Sequence, residues 1–399
     1  MTITQAVCLV GGRGTRLGSL TDATPKPLLE VGGRPFLDYL VHEARRFGLR
    51  RLLLLSGYQS GAIERHYHGK QFGQLTVEVM PEPEPAGTAG ALLNAADRLE
   101  EIFFLLNGDS YFDFNWLSLV AASGDWMMHA ALASGIEGGR YGRVRLADGR
   151  VRGFREKGAG GEPINAGIYL AKRRLLDSIK AVPCSLERDI LPGLAERGQL
   201  LGTAARGAFI DIGIPADFER AQELLPTFMH RPAAFLDRDG VLNRDDGYVY
   251  KPEEIVWMDG AIETVRRLND LGFYVFVITN QGGVAHGYYE ESHIDELHDW
   301  MQQEMQAHGA HIDAFEHCPF HPEGVVERYR RDSEFRKPQP GMILKLQREW
   351  TTDPARSFVV GDRDSDVAAA IAAGIAGYKF EGGNLWKFLQ ERVAAISAA

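Results

Sequence analysis

Cysteine is scarce in this chain: Cys8, Cys184 and Cys318 stand far apart and are odd in number. They offer no disulfide framework, and a reducing cytoplasm is the expected compartment. No apolar run approaches the ~20 residues needed to cross a bilayer, so no membrane partner is expected. Positive charge is also in deficit. A net charge of −10 argues against a nucleic-acid partner, which would need a basic face to displace counterions. Residues 1–10 lack a basic n-region and read as a first strand entering a glycine turn, not as a signal peptide. Internal repeats and low-complexity tracts are missing too. What remains is an ordinary soluble composition, 45% hydrophobic and 25% charged, in 399 residues, too many for one ordinary core. Two domains are expected.

Short apolar runs alternate with helical patterns, the rhythm of βαβ units and a mainly parallel sheet, hence an α/β fold. Strands are predicted at 6–10, 52–55, 75–80 and 102–106, and a helix at 35–48, where Phe36, Leu37, Leu40, Val41, Ala44 and Phe47 share one face. A helical stretch, 216–225, ends at Leu225-Pro226, and a fresh strand begins at 233–236. The domains are therefore placed at 1–228 and 231–399. Beyond the joint, helices are predicted at 261–271 and 291–306, with strands at 273–278 and, as the last clear one, 357–360.

In the first domain, Gly11-Gly12-Arg13-Gly14-Thr15-Arg16-Leu17 follows a strand, and Pro25-Lys26-Pro27-Leu28 comes soon after. A glycine turn lets backbone N–H groups reach phosphate oxygens without a Cβ in the way. Leu17 stands where a dinucleotide fingerprint has its third glycine, so that fingerprint is incomplete. Arg16 and Lys26 add two cations suited to a triphosphate whose pyrophosphate must leave. The run from Gly11 to Leu28 resembles the sugar-1-phosphate nucleotidyltransferase family, and the likeness continues through the domain. The resemblance implies nucleotide contacts from Gly11, Gly12, Gly14, Thr15, Arg16, Lys26, Gly87, Thr88 and Asn107. It also implies sugar-phosphate contacts from Tyr141, Gly142, Glu156, Lys157 and Asn165, and a Mg²⁺ ion held by Asp109 and Asp211. In-line attack of a sugar phosphate on an α-phosphorus needs alignment and charge neutralisation more than covalent help. Gly33-Arg34-Pro35-Phe36-Leu37, Arg140-Tyr141-Gly142 and Ser185-Leu186-Glu187 most resemble the branch that joins heptose 1-phosphate to GTP. Glu82 or Glu84 offers a carboxylate that could accept the adjacent N1–H and N2–H₂ donors of guanine; in a Pro-Glu-Pro-Glu-Pro stretch, solvated acids are an equal alternative.

In the second domain, Asp237-Arg238-Asp239-Gly240 closes a strand with two carboxylates two residues apart. One can attack phosphorus while the other protonates the leaving alkoxide and later activates water. Thr279 and Asp362 end two further predicted strands, so all should meet at one sheet edge with Lys337. The constellation resembles the haloacid dehalogenase phosphatases across the whole domain. The resemblance implies a Rossmann-like fold in each half, the second without a cap domain and closed by loops 243–254, 281–289 and 318–336. Asp237 is then the nucleophile and Asp239 the general acid/base. Thr279 and Lys337 bind the phosphoryl group, Asn280 and Arg336 the rest of the substrate, and Asp237, Asp239 and Asp362 hold Mg²⁺, with Asp366 supporting from behind.

The runs 237–243, 279–285 and 336–342 resemble, more narrowly, the heptose bisphosphate and histidinol phosphate phosphatases. Many of that group carry a zinc staple, Cys-x-His then Cys-x-Cys. Here those positions read Cys318, Phe320, Ser333 and Phe335, so no structural zinc is expected. Burial of both phenylalanines would contribute about 3–6 kcal/mol in its place, against ~10–16 kcal/mol for zinc in finger peptides. Most of His286, His293, His298, His308, His311, His317 and His321 are expected to be exposed, His286 excepted because it flanks the site.

Together the resemblances imply a cytoplasmic, Mg²⁺-dependent bifunctional enzyme that dephosphorylates heptose 1,7-bisphosphate and activates heptose 1-phosphate with GTP or another nucleoside triphosphate. They are compatible with a homo-oligomer. Rival readings change the sugar to mannose or glucose and the monoester to histidinol phosphate, or reduce the first domain to a sugar-nucleotide-binding regulator.

Overall fold

The structure, a computed structural model, describes residues 2–120, 124–136, 141–155 and 161–398. It divides into two compact units, Met1–Pro226 and Thr227–Ala399.

The first unit is built on a ten-stranded mixed sheet. In spatial order its strands are Arg143–Ala147, Arg150–Arg155, Leu200–Ala205, Met128–Ala133, Ile164–Lys172, Ile102–Asn107, Gln5–Leu9, Arg51–Ser56, Leu75–Pro81 and Gln71–Phe72. The run from Ile102–Asn107 to Leu75–Pro81 is parallel, as the alternation of strand and helix predicts. Its near-continuous apolar strands, such as Leu52–Leu53–Leu54–Leu55, are those of a sheet covered on both faces. The flank around Ile164–Lys172 pairs antiparallel with both neighbours, which strand periodicity alone does not reveal. Helix Phe36–Arg46 buries Phe36, Leu37, Leu40, Val41 and Ala44 as its spacing requires. A separate two-stranded pairing matters most for chemistry. Ser110–Phe112 lies antiparallel to Phe209–Asp211 with Ser110 opposite Asp211, and Ile212 N–H donates to Asp109 O at 3.0 Å. Two distant aspartates thus share one edge.

Helix Pro215–Met229 runs beyond the predicted stop and carries Pro226 inside it. A proline forfeits one backbone donor without ending a helix that other contacts support. Pro226 packs on the turn at Gly32, where an added Cβ would come within 2.3 Å of its ring.

The second unit holds a five-stranded, fully parallel sheet in the order Ala314–Cys318, Tyr274–Asn280, Ala233–Leu236, Phe358–Gly361, Ala376–Lys379. The edge strand Ala376–Lys379 extends the sheet past the last predicted strand; its sequence, Ala-Gly-Tyr-Lys, lacks the β-branched run that marks the others. Between the strands lie helices and loops, Ala261–Asp270, Glu291–Ala307 and Gly341–Trp350 being the main helices, with no inserted domain among the described residues. Among the described residues no helix is long and apolar enough to cross a membrane.

Candidate active sites

At the carboxyl edge of the five-stranded sheet, three strands deliver their terminal residues to one point. Asp237 leaves Ala233–Leu236 with its N–H bonded to Val360 O, and Thr279 lies near the end of Tyr274–Asn280. Asp362 follows Phe358–Gly361. Lys337 reaches in from the loop before Gly341–Trp350, its Nζ 2.8 Å from Asp237 Oδ2 and 2.6 Å from Asp366 Oδ1 while donating to Ile278 O. All of Asp237, Thr279, Lys337 and Asp366 are buried. Asn280, assigned by resemblance to the substrate, clamps Lys337 instead: its side-chain amide accepts Lys337 N–H and donates to Lys337 O, both at 3.0 Å.

The electrostatics are those of a crowded acid cluster. Burial raises the Asp237 pKa to about 7; Lys337 pulls it down, and Asp366 and Asp239 push it up. Burial also raises Asp362, opposed by Arg363 and reinforced by Asp366 and Asp245. For Lys337 burial works against the charge, but the Asp237 and Asp366 carboxylates outweigh it and hold the ammonium protonated. Carboxylate oxygens of Asp237, Asp362 and Asp366 lie within 4.8 Å of one another. Asp362 Oδ1 is buried and accepts no hydrogen bond. Gly240, at φ 87°, lets the loop close here, because a Cβ would meet Asp362 Oδ2 at 2.4 Å. Three hard oxygens fit a small divalent cation such as Mg²⁺.

Asp239, expected among the metal ligands, keeps its carboxylate outside that trio, and Asp366 joins it instead of standing behind. The reason is Arg238, fully buried, whose Nε and NH2 grip Asp239 at 3.1 and 2.9 Å while NH2 also bonds Val249 O. Asn243 Nδ2 and Gln281 Nε2 complete the hold, each at 2.9 Å. Motif reading assigned no role to Arg238, Asn243, Gln281 or Tyr289. The available signal was a charged residue between two aspartates in a segment that must be buried.

The three loops expected around the mouth do meet. Tyr248 and Tyr288 pack edge to face at 4.6 Å, and His286 lies 4.7 Å from His321. Arg336, half-buried, donates to Phe320 O at 3.3 Å. Phe320 is covered by the Arg331 guanidinium at 4.0 Å, Tyr329 Oη donates to Glu291 Oε2 at 2.7 Å, and Phe320 and Phe335 pack on the sheet's core. The expectation of exposed histidines fails: only His308 of the seven is exposed, and His298 and His311 are buried. His298 stacks on Phe315 at 4.5 Å, because its helix turns that face to the sheet.

In the first unit the turn at Gly11, Gly12 and Gly14 leads from Gln5–Leu9 into a 3-10 helix that starts at Thr15. Gly12, Thr15 and Arg16 are exposed. Arg16 reaches the 211–213 turn, where a Cβ on Gly213 would lie 3.6 Å from its NH2. Lys26 is buried and paired with Asp109 Oδ2 at 2.7 Å, and Asp211 Oδ1 accepts Gly213 N–H at 2.6 Å. Asp109 and Asp211, adjacent through their strands, supply hard oxygens on one edge, which suits a shared cation. Glu82 is half-buried with Oε1 3.5 Å from the position of a Cβ on Gly11, and burial raises its pKa; Glu84 is exposed.

Other assigned residues have structural partners. Gly87 packs on Cys184 O. Thr88 Oγ1 accepts Leu186 N–H at 2.7 Å and donates to Glu187, pinning the Ser185-Leu186-Glu187 segment. Asn165 donates to Tyr169 Oη at 2.6 Å, and Tyr141 sits edge-on to Phe209, with Gly142 exposed beside it. Asn107 lies against Gly167 with its Oδ1 buried and unbonded. Arg140, Glu156 and Lys157 lie outside the described residues.

Comparison with known proteins bears on both units. The family model for nucleotidyl transferases matches residues 5–227, and that for HAD-hydrolase-like proteins matches 334–384. The D-glycero-beta-D-manno-heptose-1,7-bisphosphate 7-phosphatase of Rhodopseudomonas palustris is 52% identical over 169 residues, 42% of this chain and 94% of that protein. The phosphatase of the same name from Escherichia coli K12 is 40% identical over 144 residues, 36% of this chain and 75% of the relative. Among solved structures, HddC from Yersinia pseudotuberculosis complexed with GMP-PN shares 30% identity at a TM-score of 0.51, covering 56% of this chain and all of that one.

Proposed function

Because this chain belongs to the nucleotidyl transferase family in its first unit and to the family of those HAD-like phosphatases in its second, we propose that it catalyses two consecutive steps of heptose activation. The second unit removes the 7-phosphate of heptose 1,7-bisphosphate. The first joins the resulting heptose 1-phosphate to a nucleoside monophosphate, GMP from GTP, and releases pyrophosphate. One unit's product is the other's substrate.

The buried Asp237–Lys337–Asp366 arrangement with Asp362 alongside carries this reading. The Asp237 carboxylate attacks phosphorus opposite the sugar oxygen, forming an aspartyl phosphate as the P–O bond to C7 breaks. Asp239 hands its proton to the departing alkoxide, then takes one from the water that attacks phosphorus and frees orthophosphate. Lys337 and Thr279 neutralise and orient the phosphoryl oxygens. Asp237, Asp362 and Asp366 are the residues to hold Mg²⁺, which when bound offsets the charge of carboxylates and phosphate together. In the first unit, Asp109 and Asp211 hold the equivalent ion, Arg16 and Lys26 face the pyrophosphate, and the glycine turn presents backbone N–H groups. Glu82 supports the choice of GTP: a half-buried acceptor beside Gly11 suits the paired N1–H and N2–H₂ donors of guanine.

A substrate panel tests the reading. The purified chain with Mg²⁺ is offered heptose 1,7-bisphosphate and histidinol phosphate, then heptose, mannose and glucose 1-phosphates with each of four nucleoside triphosphates. Highest kcat/KM for the heptose substrates with GTP is expected. Preference for a hexose 1-phosphate or another triphosphate would refute the assignment.

A further inference from the structure

Gln281 is buried and bonds two groups that the phosphatase reaction uses, Asp239 and Thr279. Its Nε2 donates to Asp239 Oδ2 at 2.9 Å and to Thr279 Oγ1 at 2.8 Å, and its Oε1 accepts the Tyr289 hydroxyl at 2.7 Å. The Tyr289 hydroxyl donates to the Gln281 carbonyl, which turns the amide's NH₂ towards Asp239 and Thr279. Thr279 Oγ1 thereby receives a hydrogen bond from Gln281, which leaves its own proton to point at a phosphoryl oxygen. Tyr289 is itself fixed. It stacks on Tyr250 at 4.7 Å with rings 16° apart, and its ring fills the space over Gly283, where a Cβ would come within 2.4 Å. Burial raises its hydroxyl pKa to about 12, so it remains a donor.

From this geometry we infer that Gln281, oriented by Tyr289, is a positioning residue of the phosphatase reaction: it sets the placement of Asp239 and the donor direction of Thr279 together. The inference rests on the reading of Asp239 as general acid. Leaving-group dependence tests it, because an alkoxide needs the proton from Asp239 whereas 4-nitrophenolate leaves without one.

In the full chain, Gln281→Met should lower kcat/KM for the sugar 7-phosphate by about 100-fold and for 4-nitrophenyl phosphate by less than about tenfold. A lost Thr279 contact would depress both substrates alike, so the gap isolates Asp239. Tyr289→Phe, which keeps the ring packing, should show the same bias at smaller size and serves if Gln281→Met fails to fold. Equal losses on the two substrates, or none, would overturn the inference. Asp239→Asn is measured alongside. If it shows the bias and the Gln281 and Tyr289 variants do not, only this inference fails; if Asp239→Asn shows no bias, the general-acid reading falls with it.

Discussion

The two sites solve different charge problems with similar residues. In the second unit, Lys337 and its partners Asp237 and Asp366 are nearly removed from solvent. In the first, Lys26 is buried but its partner Asp109 has 36% of its side chain exposed, and Arg16 and Thr15 stand in the open. On the proposed mechanism, a covalent step on a small phosphoryl group rewards a closed, prearranged pocket, since fixed dipoles and charges act strongly where water is excluded. A site that must admit a whole nucleoside triphosphate and a sugar phosphate has to remain open until its substrates supply the missing charges.

The sharpest way to break this contrast is to silence one site and watch the other. Asp237→Asn should abolish phosphate release, by about 10⁴-fold or more, while pyrophosphate release from GTP and heptose 1-phosphate stays at wild-type rate. Asp109→Asn should do the reverse, lowering pyrophosphate release by roughly 10²–10³-fold and sparing phosphate release. Comparable loss of both activities in either variant would mean that the sites are not independent.

A second pair of variants compares the two lysines. Lys337→Met leaves two buried carboxylates facing each other and should destabilise the second unit by about 3–5 kcal/mol in denaturant unfolding without added metal. Lys26→Met strands a carboxylate that water can reach, and should cost about 1 kcal/mol or less. Equal costs would erase the distinction drawn above.

A pH-dependent effect belongs to His129, buried in the first unit with Nδ1 at 2.8 Å from Leu119 O and Nε2 at 2.8 Å from Thr203 Oγ1. Burial lowers its pKa from 6.5 to about 4, partly opposed by the Leu119 carbonyl. The unfolded chain therefore gains a proton below about pH 6.5 that the folded one refuses, and stability falls as pH drops from there towards 4. His129→Asn should flatten that slope, by about 2–3 kcal/mol at the acid end, read from unfolding midpoints at pH 7.0 and 4.5.

Much of this was legible in the chain because the informative residues sit at strand ends, where a short apolar run and its terminal polar residue are read together. Asp237, Thr279 and Asp362 were found that way, and the parallel sheet delivers them to one edge. Other features depend on contacts between segments far apart in sequence. Asp366 is a helix residue whose part in the acid cluster follows from how its helix packs against Gly361, where a Cβ would come within 2.1 Å of its carboxyl group. Gln281 lay inside a recognisable motif, yet its partners Asp239 and Tyr289 become neighbours only in the fold. The burial of His298 follows from its helical face, and that of His311 from its place in the segment before Ala314–Cys318, neither of which polar residue type reveals. The antiparallel flank of the large sheet depends on pairing partners that no local pattern names.

The most direct test of the claim that one chain runs both steps is ³¹P NMR of the wild-type protein with heptose 1,7-bisphosphate, GTP and Mg²⁺. Orthophosphate should appear first, followed by pyrophosphate together with a diphosphate ester signal, with heptose 1-phosphate rising and then falling. Pyrophosphate formed before any orthophosphate, or orthophosphate with no diphosphate ester after prolonged incubation, would contradict it.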